Sequence, residues 1–181
     1  QDRLTEFLKL NSDTDLMNFM NQNITYGWKD CNQGLHFNNL KGFRESYRIS
    51  SINEMLETGL GTCIEQAKLI KYFFDKIGLE NKIYCHRRYE TEENADNEVR
   101  MHCFVLFKYN DYWYHFEHSN RPKRGIHKYE SVELAIKDIT SGFEITDIRK
   151  LTEISEIPDG LTFKEFNEYV NQFDKENIKR L

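Results

Sequence analysis

The feature that most constrains the fold is a helical pattern of apolar residues with glycine at both ends. The apolar positions recur every three or four residues, and they are Ile64, Ala67, Ile70, Phe73, Phe74 and Ile77. A glycine-containing turn, 59–61, precedes the pattern, and Gly78 follows it. Thr62 and Glu65 have the spacing of a capping box, in which each side chain accepts a hydrogen bond from the other residue's backbone. The sequence therefore predicts a helix that begins at Cys63 and ends before Gly78.

The predicted position of Cys63 at the start of a helix has consequences for its thiol. The first N–H groups of a helix lack intrahelical acceptors, and they lie at the positive end of the helix dipole. Both effects favour the thiolate, which is the nucleophilic form of cysteine. The alternative interpretation is a small buried residue at a helix start, because free cysteine commonly packs like a small apolar side chain.

The composition predicts a folded core with a solvated surface. The 181 residues are 39% hydrophobic and 14% aromatic, so the 30% charged residues are expected to cover a packed core. The net charge is −5 and the basic residues are scattered along the chain, which argues against nucleic acid or an anionic membrane as a partner.

The cysteine count and the chain start bear on the cellular compartment. Four cysteines (31, 63, 85 and 103) do not make a disulfide framework in a chain of this length, and they suit a reducing compartment. Neither a membrane-spanning run nor a signal peptide is recognisable, so a cytoplasmic location is expected. Because the sequence starts with Gln1 rather than Met, a leader upstream would change that expectation.

The remaining patterns order the chain as helices, then antiparallel strands, then closing helices. Helices are predicted over 2–22 (interrupted near 11–13), 51–59, 131–141 and 163–179, and strands over 81–88, 99–109, 112–119 and 143–151. Residues 23–49 lack a regular pattern, and 90–98 are predicted to form an acidic loop. We expect one α+β domain, 1–181, with N-terminal helices, the cysteine helix packed on an antiparallel sheet, and a C-terminal helix.

The two clearest strands make a geometric prediction about His102 and Glu117. They are joined by Asn110-Asp111, which suits a two-residue hairpin turn that would pair Tyr109 with Tyr112. Every further pair then sums to 221, and strand alternation puts His102 and Glu117 on one face as diagonal neighbours. An imidazole and a carboxylate are therefore expected to meet there.

Together with Cys63, this pair supplies the three roles of a thiol-nucleophile site. The histidine holds the cysteine as thiolate, and the acid fixes the histidine tautomer and stabilises its charged form. We therefore name Cys63, His102 and Glu117 as candidate catalytic residues. The alternative is a core histidine paired with Glu117 for structure alone.

Other residues are weaker candidates. His115 shares the predicted face with Glu117 and is an alternative base, and Asn120 is an alternative orienting group for the histidine. A metal site is disfavoured because neighbouring residues on a strand point to opposite faces. Its ligands would have to come from Cys85, His86, His102, Cys103, His115 and His118. No metal or other cofactor is expected.

These motifs resemble the transglutaminase-like superfamily. The resemblance lies in Gly61-x-Cys63-x-x-x-Ala67, in His102-x-Phe104-Val105-x-Phe107 and in Trp113-x-x-x-Glu117, and covers roughly residues 20–120. The segment Tyr26-Gly27-Trp28 is also similar to the aromatic loop that precedes the cysteine in that superfamily.

The resemblance implies a papain-like cysteine–histidine–acid core of the small, bacterial single-domain type. Glu117 stands where the family most often has aspartate. An upstream tryptophan stabilises the oxyanion in transglutaminases proper, which makes Trp28 a candidate oxyanion donor; Tyr26 is a second candidate, and the sequence does not choose between them. The implied activity is thiol-dependent acyl transfer or hydrolysis on a peptide or glutamine-type amide, as in a cysteine protease, amidase, deamidase or transglutaminase. The implied partner is a protein or peptide substrate.

A function of a different class remains open at this point. The same fold can serve as a non-catalytic protein- or peptide-binding module, because a fold does not carry its function with it. The separation of Cys63 and His102 discriminates the two, because catalysis requires that they meet.

Overall fold

The computed structural model describes residues 2–89, 91, 99–142 and 148–174. The helices are α1 (Arg3–Leu8), α2 (Asp13–Asn23), α3 (Phe43–Ser46), α4 (Ile52–Thr58), α5 (Cys63–Lys76), α6 (Val132–Ile139) and α7 (Phe163–Asn171), with a short 3-10 turn at Arg121–Lys123. The strands are β1 (Thr25–Lys29), β2 (Leu35–Phe37), β3 (Leu60–Gly61), β4 (Asn81–Tyr89), β5 (Arg100–Tyr109), β6 (Tyr112–Glu117), β7 (Gly125–Tyr129) and β8 (Ile148–Ile154). The α+β class predicted from the sequence is confirmed.

Five strands form an antiparallel sheet in the order β7-β6-β5-β4-β8. Helix α5 covers one face, where Phe74 stacks on Phe107 with 4.2 Å between ring centroids. Helix α6 covers the other face, where Ala135 packs with Phe104 and Leu106. The sheet is therefore buried on both faces, and the cysteine helix lies on an antiparallel sheet as expected.

Helix α5 begins and ends where the sequence predicts. Thr62 is the N-cap, its backbone N–H donates to Glu65 Oε1 at 2.9 Å, and both halves of the capping box are present. Gly78, two residues beyond Lys76, has a φ of +77°, a left-handed conformation that favours glycine. Local signals suffice here because capping is decided within one turn of helix.

The β5–β6 hairpin has the predicted register but stops earlier than predicted. Asn110 and Asp111 both have positive φ, at 51° and 68°, as a two-residue type I′ turn requires. The ladder runs from Tyr109–Tyr112 to Val105–Phe116, and each pair sums to 221. The pairs that were predicted beyond Val105–Phe116 are not part of this ladder. The two strands therefore lose their backbone pairing where they reach His102 and Glu117.

Residues 23–49, which lack a regular sequence pattern, contain β1, β2 and α3. Strand β1 lies between β2 and β3, and it pairs in parallel with the two residues of β3. In this ladder Tyr26 lies opposite Gly61, which attaches the aromatic loop to the turn before Cys63. Gly27 is required because a Cβ there would lie 2.4 Å from the backbone oxygen of His36. Strand β7 was also not predicted.

Some predicted segments fall partly outside the described residues. This holds for residue 90 and 92–98 of the acidic loop, for 143–147 at the start of the predicted last strand, and for 175–181 at the C-terminus. Helix α7 ends at Asn171 rather than at Lys179. Across the described ranges, no helix combines the length and hydropathy needed to cross a bilayer.

Candidate active site

Cys63 lies at the N-terminus of α5 and faces a cavity of about 400 Å³. Its side chain is largely buried, at 8% exposure, and its Sγ lies 3.8 Å from the carbonyl oxygen of Met101 on β5. The cavity wall is mainly apolar and aromatic, with Tyr26, Phe43 and Phe163 among its members. Among the residues that the structure describes, the thiol is therefore reached from the side of this cavity.

His102 and Glu117 meet beyond the end of the β5–β6 ladder. His102 Nε2 lies 2.6 Å from Glu117 Oε1, a short charge-assisted hydrogen bond. The contact predicted from the hairpin register is confirmed. Because Nε2 is engaged by Glu117, Nδ1 is the ring nitrogen left for Cys63.

The Glu117 carboxylate is held from several sides. Its Oε2 accepts hydrogen bonds from the Ser119 hydroxyl and from the backbone N–H of Asn120, both at 3.1 Å. The Nε2 of His115 lies 3.3 Å from Oε1. At 3% exposure the carboxylate is almost fully buried, and these partners compensate for its lost hydration. Glu117 is thus positioned as a fixed negative charge behind His102.

The electrostatics favour a thiolate beside a protonated imidazole. A hydrogen bond from Cys103, together with a hydrogen bond and the positive charge from His102, outweighs burial and lowers the pKa of Cys63 well below its usual value. Burial alone would lower the pKa of His102, but hydrogen bonds to Cys63 and Glu117 and their negative charges raise it to about 10. Burial likewise disfavours the charged form of Glu117, yet its hydrogen bonds to His102 and His115 leave its pKa below the usual value. All three shifts favour the charged forms, so Cys63, His102 and Glu117 form a series in which negative, positive and negative groups follow one another.

His102 also borders a second cavity, of about 600 Å³, on the α6 side of the sheet. Glu117 and His115 line this cavity too, whereas Cys63 lines the first. The His102 side chain is 29% exposed. Water can therefore reach the imidazole from the side opposite to the thiol.

The two aromatic candidates for oxyanion stabilisation occupy different places. Tyr26 lines the Cys63 cavity, and burial together with the charges of Cys63 and Glu65 raises the pKa of its hydroxyl. Tyr26 therefore keeps its proton at neutral pH and can donate it in a hydrogen bond. The parallel pairing of Tyr26 with Gly61 explains why it lies beside the thiol.

Trp28 does not have this geometry, so of the two aromatic candidates it is Tyr26 that lines the Cys63 cavity. Its ring is 2% exposed and stacks on His36 with 3.9 Å between ring centroids. Its indole N–H, the only donor of the side chain, is used by the carbonyl oxygen of Asn39 at 2.7 Å. Trp28 instead holds the 35–39 segment against the core.

The structure also separates the weaker candidates from the triad positions. Asn120 supports Glu117 through its backbone N–H, so it does not replace Glu117 as the partner of His102. His115 contacts Glu117, and burial lowers its pKa, whereas the hydrogen-bonding neighbours of Cys63 are Cys103 and His102. His118 binds Gln66 Oε1 at 2.8 Å on the α5 side, opposite to His115, as strand alternation predicts. Within the described ranges, no group of three potential ligands could hold a metal ion.

Two features of the site were not predicted from the sequence. Cys103 lies next to Cys63, which the alternation of β5 could have indicated once α5 was assigned to that face. Glu65 carries a buried carboxylate under the helix start, where Oε2 accepts from the Tyr47 hydroxyl at 2.5 Å and from Ser50 N–H at 3.2 Å. Burial raises the pKa of Glu65 even though hydrogen bonds from Thr62 and Tyr47 oppose the shift. The turn before Cys63 is therefore stabilised by the buried Glu65 carboxylate as well as by the Thr62 N-cap.

Comparisons with known proteins find similarity in structure only. No protein-family model matches the chain, and no curated protein matches it. Among solved structures, it is similar to an arylamine N-acetyltransferase from Bacillus cereus with a Cys-His-Glu catalytic triad, at a TM-score of 0.47 and 14% identity, over 95% of this chain and 75% of that one. It is also similar to the catalytic domain of the Salmonella virulence factor SseI, at a TM-score of 0.35 and 14% identity, over 71% of this chain and 73% of that one. At these TM-scores and this identity, neither similarity assigns a family or an activity to the chain.

Proposed function

We propose that the chain is a single transglutaminase-like domain that catalyses thiol-dependent acyl transfer or hydrolysis through Cys63, His102 and Glu117. The observation that carries the proposal is the sequence of contacts from Glu117 through His102 to Cys63, with the Cys63 thiol at the wall of an open cavity. A buried carboxylate, an imidazole and a helix-terminal thiolate are the groups that nucleophilic acyl transfer needs.

In the proposed mechanism, the Cys63 thiolate attacks the carbonyl carbon of an amide and forms a tetrahedral intermediate. The C–N bond then breaks, and the His102 imidazolium donates a proton to the departing amine, which leaves a thioester on Cys63. His102, now neutral, next accepts a proton from water or from an incoming amine as it attacks the thioester. Cys63 is released as thiolate beside a re-formed imidazolium, and Glu117 stays ionised throughout.

The oxyanion of the intermediate would be stabilised by two donors. The backbone N–H of Cys63 is the first of α5 and lacks an intrahelical acceptor. The Tyr26 hydroxyl is the second, because it keeps its proton and lines the same cavity. Loss of one such donor costs about 3 kcal/mol in well-studied sites.

The substrate class is proposed as a peptide bond or a side-chain amide of a protein. The cavity is open to solvent and combines an apolar wall of Phe43, Met101 and Phe163 with the charged residues Arg44 and Arg100. This combination suits a polypeptide segment with both apolar and polar side chains. A purely non-catalytic binding module would not require the contact between Cys63 and His102.

The first test is the reactivity of the thiol. Iodoacetamide should label Cys63 faster than Cys31, Cys85 or Cys103 at neutral pH, as mapped by peptide mass spectrometry, because an ordinary thiol is only a few per cent ionised there. Cys31 is the matched internal reference, since it is exposed and yet lies outside the site. The nucleophile assignment fails if Cys63 labels no faster than Cys31.

The second test is turnover on a protein substrate. Casein is incubated with the protein, with and without a primary amine, and ammonia release, amine incorporation and backbone cleavage are measured in parallel. Activity in any channel should disappear in Cys63→Ala and persist in Cys31→Ser. Equal activity in the wild type and Cys63→Ala would contradict the proposal.

A further inference from the structure

Three of the four cysteines form a contiguous series through the core. Cys85 on β4 and Cys103 on β5 lie directly opposite each other in the ladder, with 3.1 Å between their sulfur atoms. Cys63 Sγ lies 3.8 Å from the carbonyl oxygen of Met101, two residues before Cys103 on β5, and the Cys63 and Cys103 thiols are close enough to shift each other's pKa. All three are free thiols. In the proposed acyl-transfer mechanism only Cys63 forms and breaks bonds, so Cys85 and Cys103 take part in none of its covalent steps.

The geometry of the Cys85–Cys103 pair allows a disulfide. Directly opposed residues of an antiparallel ladder have Cα atoms about 4.5–5.5 Å apart, which is within the range of about 4.4–6.8 Å that disulfides span. The sulfur atoms already lie closer than van der Waals contact of about 3.6 Å would place them. Closing the bond would therefore require side-chain adjustment without separation of the strands.

Access to solvent differs sharply along the series. Cys63 lines the open cavity, whereas Cys85 and Cys103 are 0% and 3% exposed. Burial, together with hydrogen bonds to Cys63 and Cys85, raises the pKa of Cys103, so that it is held as a thiol. A small oxidant that enters the cavity therefore meets the Cys63 thiolate first.

We propose that Cys103 and Cys85 form a resolving pair that removes peroxide damage from Cys63 and stores it as a Cys85–Cys103 disulfide. This inference rests on the proposed function in one respect: its first step needs the reactive Cys63 thiolate. It assigns a covalent role to two residues that form no bond in that mechanism.

The steps balance with hydrogen peroxide as the oxidant. The Cys63 thiolate attacks one peroxide oxygen, forming Cys63 sulfenic acid and releasing hydroxide, which takes up a proton to become water. Cys103 then attacks the Cys63 sulfur, and its thiol proton leaves with the hydroxyl group as a second water. Cys85 attacks the Cys103 sulfur of this mixed disulfide, loses its proton and releases Cys63 as thiolate. Overall, one peroxide and two buried thiols give one disulfide and two waters.

The experiment measures the oxidation state of each cysteine rather than catalytic activity. Folded protein carrying Cys31→Ser, which removes the exposed thiol, is treated with sub-stoichiometric hydrogen peroxide, quenched with iodoacetamide and mapped by non-reducing peptide mass spectrometry. We expect a Cys85–Cys103 disulfide, with Cys63 still open to alkylation. Cys85→Ser should instead trap the Cys63–Cys103 disulfide and block alkylation of Cys63. Cys103→Ser should raise irreversible oxidation of Cys63 by roughly tenfold at equal dose.

Two results would overturn the proposal. The first is accumulation of Cys63 sulfinic acid in the parent protein without a Cys85–Cys103 disulfide. The second is formation of that disulfide at an unchanged rate in Cys63→Ser, which would mean that peroxide reaches the buried pair directly. Both readouts stand even if Cys85→Ser or Cys103→Ser fails to fold. A Cys63 that alkylates rapidly but forms no disulfide removes this inference alone, whereas a Cys63 that resists alkylation removes the proposed function.

Discussion

Replacing Glu117 by glutamine would remove the charge behind His102 while keeping the shape of the side chain. Two unit charges about 4 Å apart interact by about 4 kcal/mol at the effective dielectric constant near a protein surface. Glu117 Oε1 lies 2.6 Å from His102 Nε2, so the two charges are no farther apart than in this estimate. Because 29% of the His102 side chain is exposed, we take half of this value, about 2 kcal/mol, or about 1.5 pKa units.

The sign of the effect follows from which states the carboxylate stabilises. Glu117 favours the imidazolium, which raises the pKa of His102 to about 10, and the imidazolium in turn favours the Cys63 thiolate. In Glu117→Gln the pKa of His102 should therefore fall by about 1.5 units. Because His102 would still be protonated near pH 6, the Cys63 thiolate keeps its imidazolium partner there and its alkylation rate at that pH should change little.

The assay combines an NMR titration of the His102 ring with the pH dependence of Cys63 alkylation. Glu153→Gln is the matched control, because Glu153 is an exposed carboxylate outside the site. Its Oε1 lies 3.5 Å from Lys82 Nζ. Ser119→Ala is a second control that removes one hydrogen bond to Glu117 but leaves its charge. If a folded Glu117→Gln protein keeps the His102 pKa within about half a unit of the wild type, the assignment of Glu117 as the charge partner is refuted.

Three further predictions address the surroundings of the thiol. Tyr26→Phe should lower the acyl-transfer rate by roughly 10²- to 10³-fold without slowing iodoacetamide alkylation, since alkylation forms no oxyanion; an unchanged rate would rule out Tyr26 as a donor. Thr62→Ala should lower the free energy of unfolding in urea by about 1–2 kcal/mol, because it removes the N-cap of α5; a change near zero would contradict that role. Gly59→Ala should lower the free energy of unfolding by about 1–2 kcal/mol for its φ of +72°, and by more because the new Cβ would lie 2.8 Å from the Asn23 carbonyl oxygen. Gly78→Ala, at a φ of +77° with open space around it, should show the conformational cost alone. Equal losses of unfolding free energy in the two variants would exclude the clash.

The parts of the site that depend on local chemistry were predictable from the sequence. The capping box at Thr62 and Glu65 and the stop at Gly78 each act within a few residues, so the cysteine helix has the predicted limits. The two-residue turn at Asn110-Asp111 sets the register of a whole hairpin, because side chains alternate along paired strands. This register alone predicts that His102 and Glu117 lie close together.

Contacts between distant segments were decided only by the tertiary structure. Tyr26 lies beside Cys63 because β1 pairs with the two-residue strand β3, and so short a strand leaves no hydrophobic pattern to read. Trp28 is turned away because its indole N–H binds Asn39, a choice that depends on where the loop packs.

The sequence by itself determined the cysteine helix, the hairpin and the contact between His102 and Glu117, because each follows from a short-range rule. The tertiary structure decided where β5 and β6 part, which aromatic side chain faces the thiol, and that Cys103 and Cys85 continue the series behind Cys63. The physical reason is that packing joins segments far apart in sequence, and the free energy of those contacts depends on the whole core rather than on any local pattern.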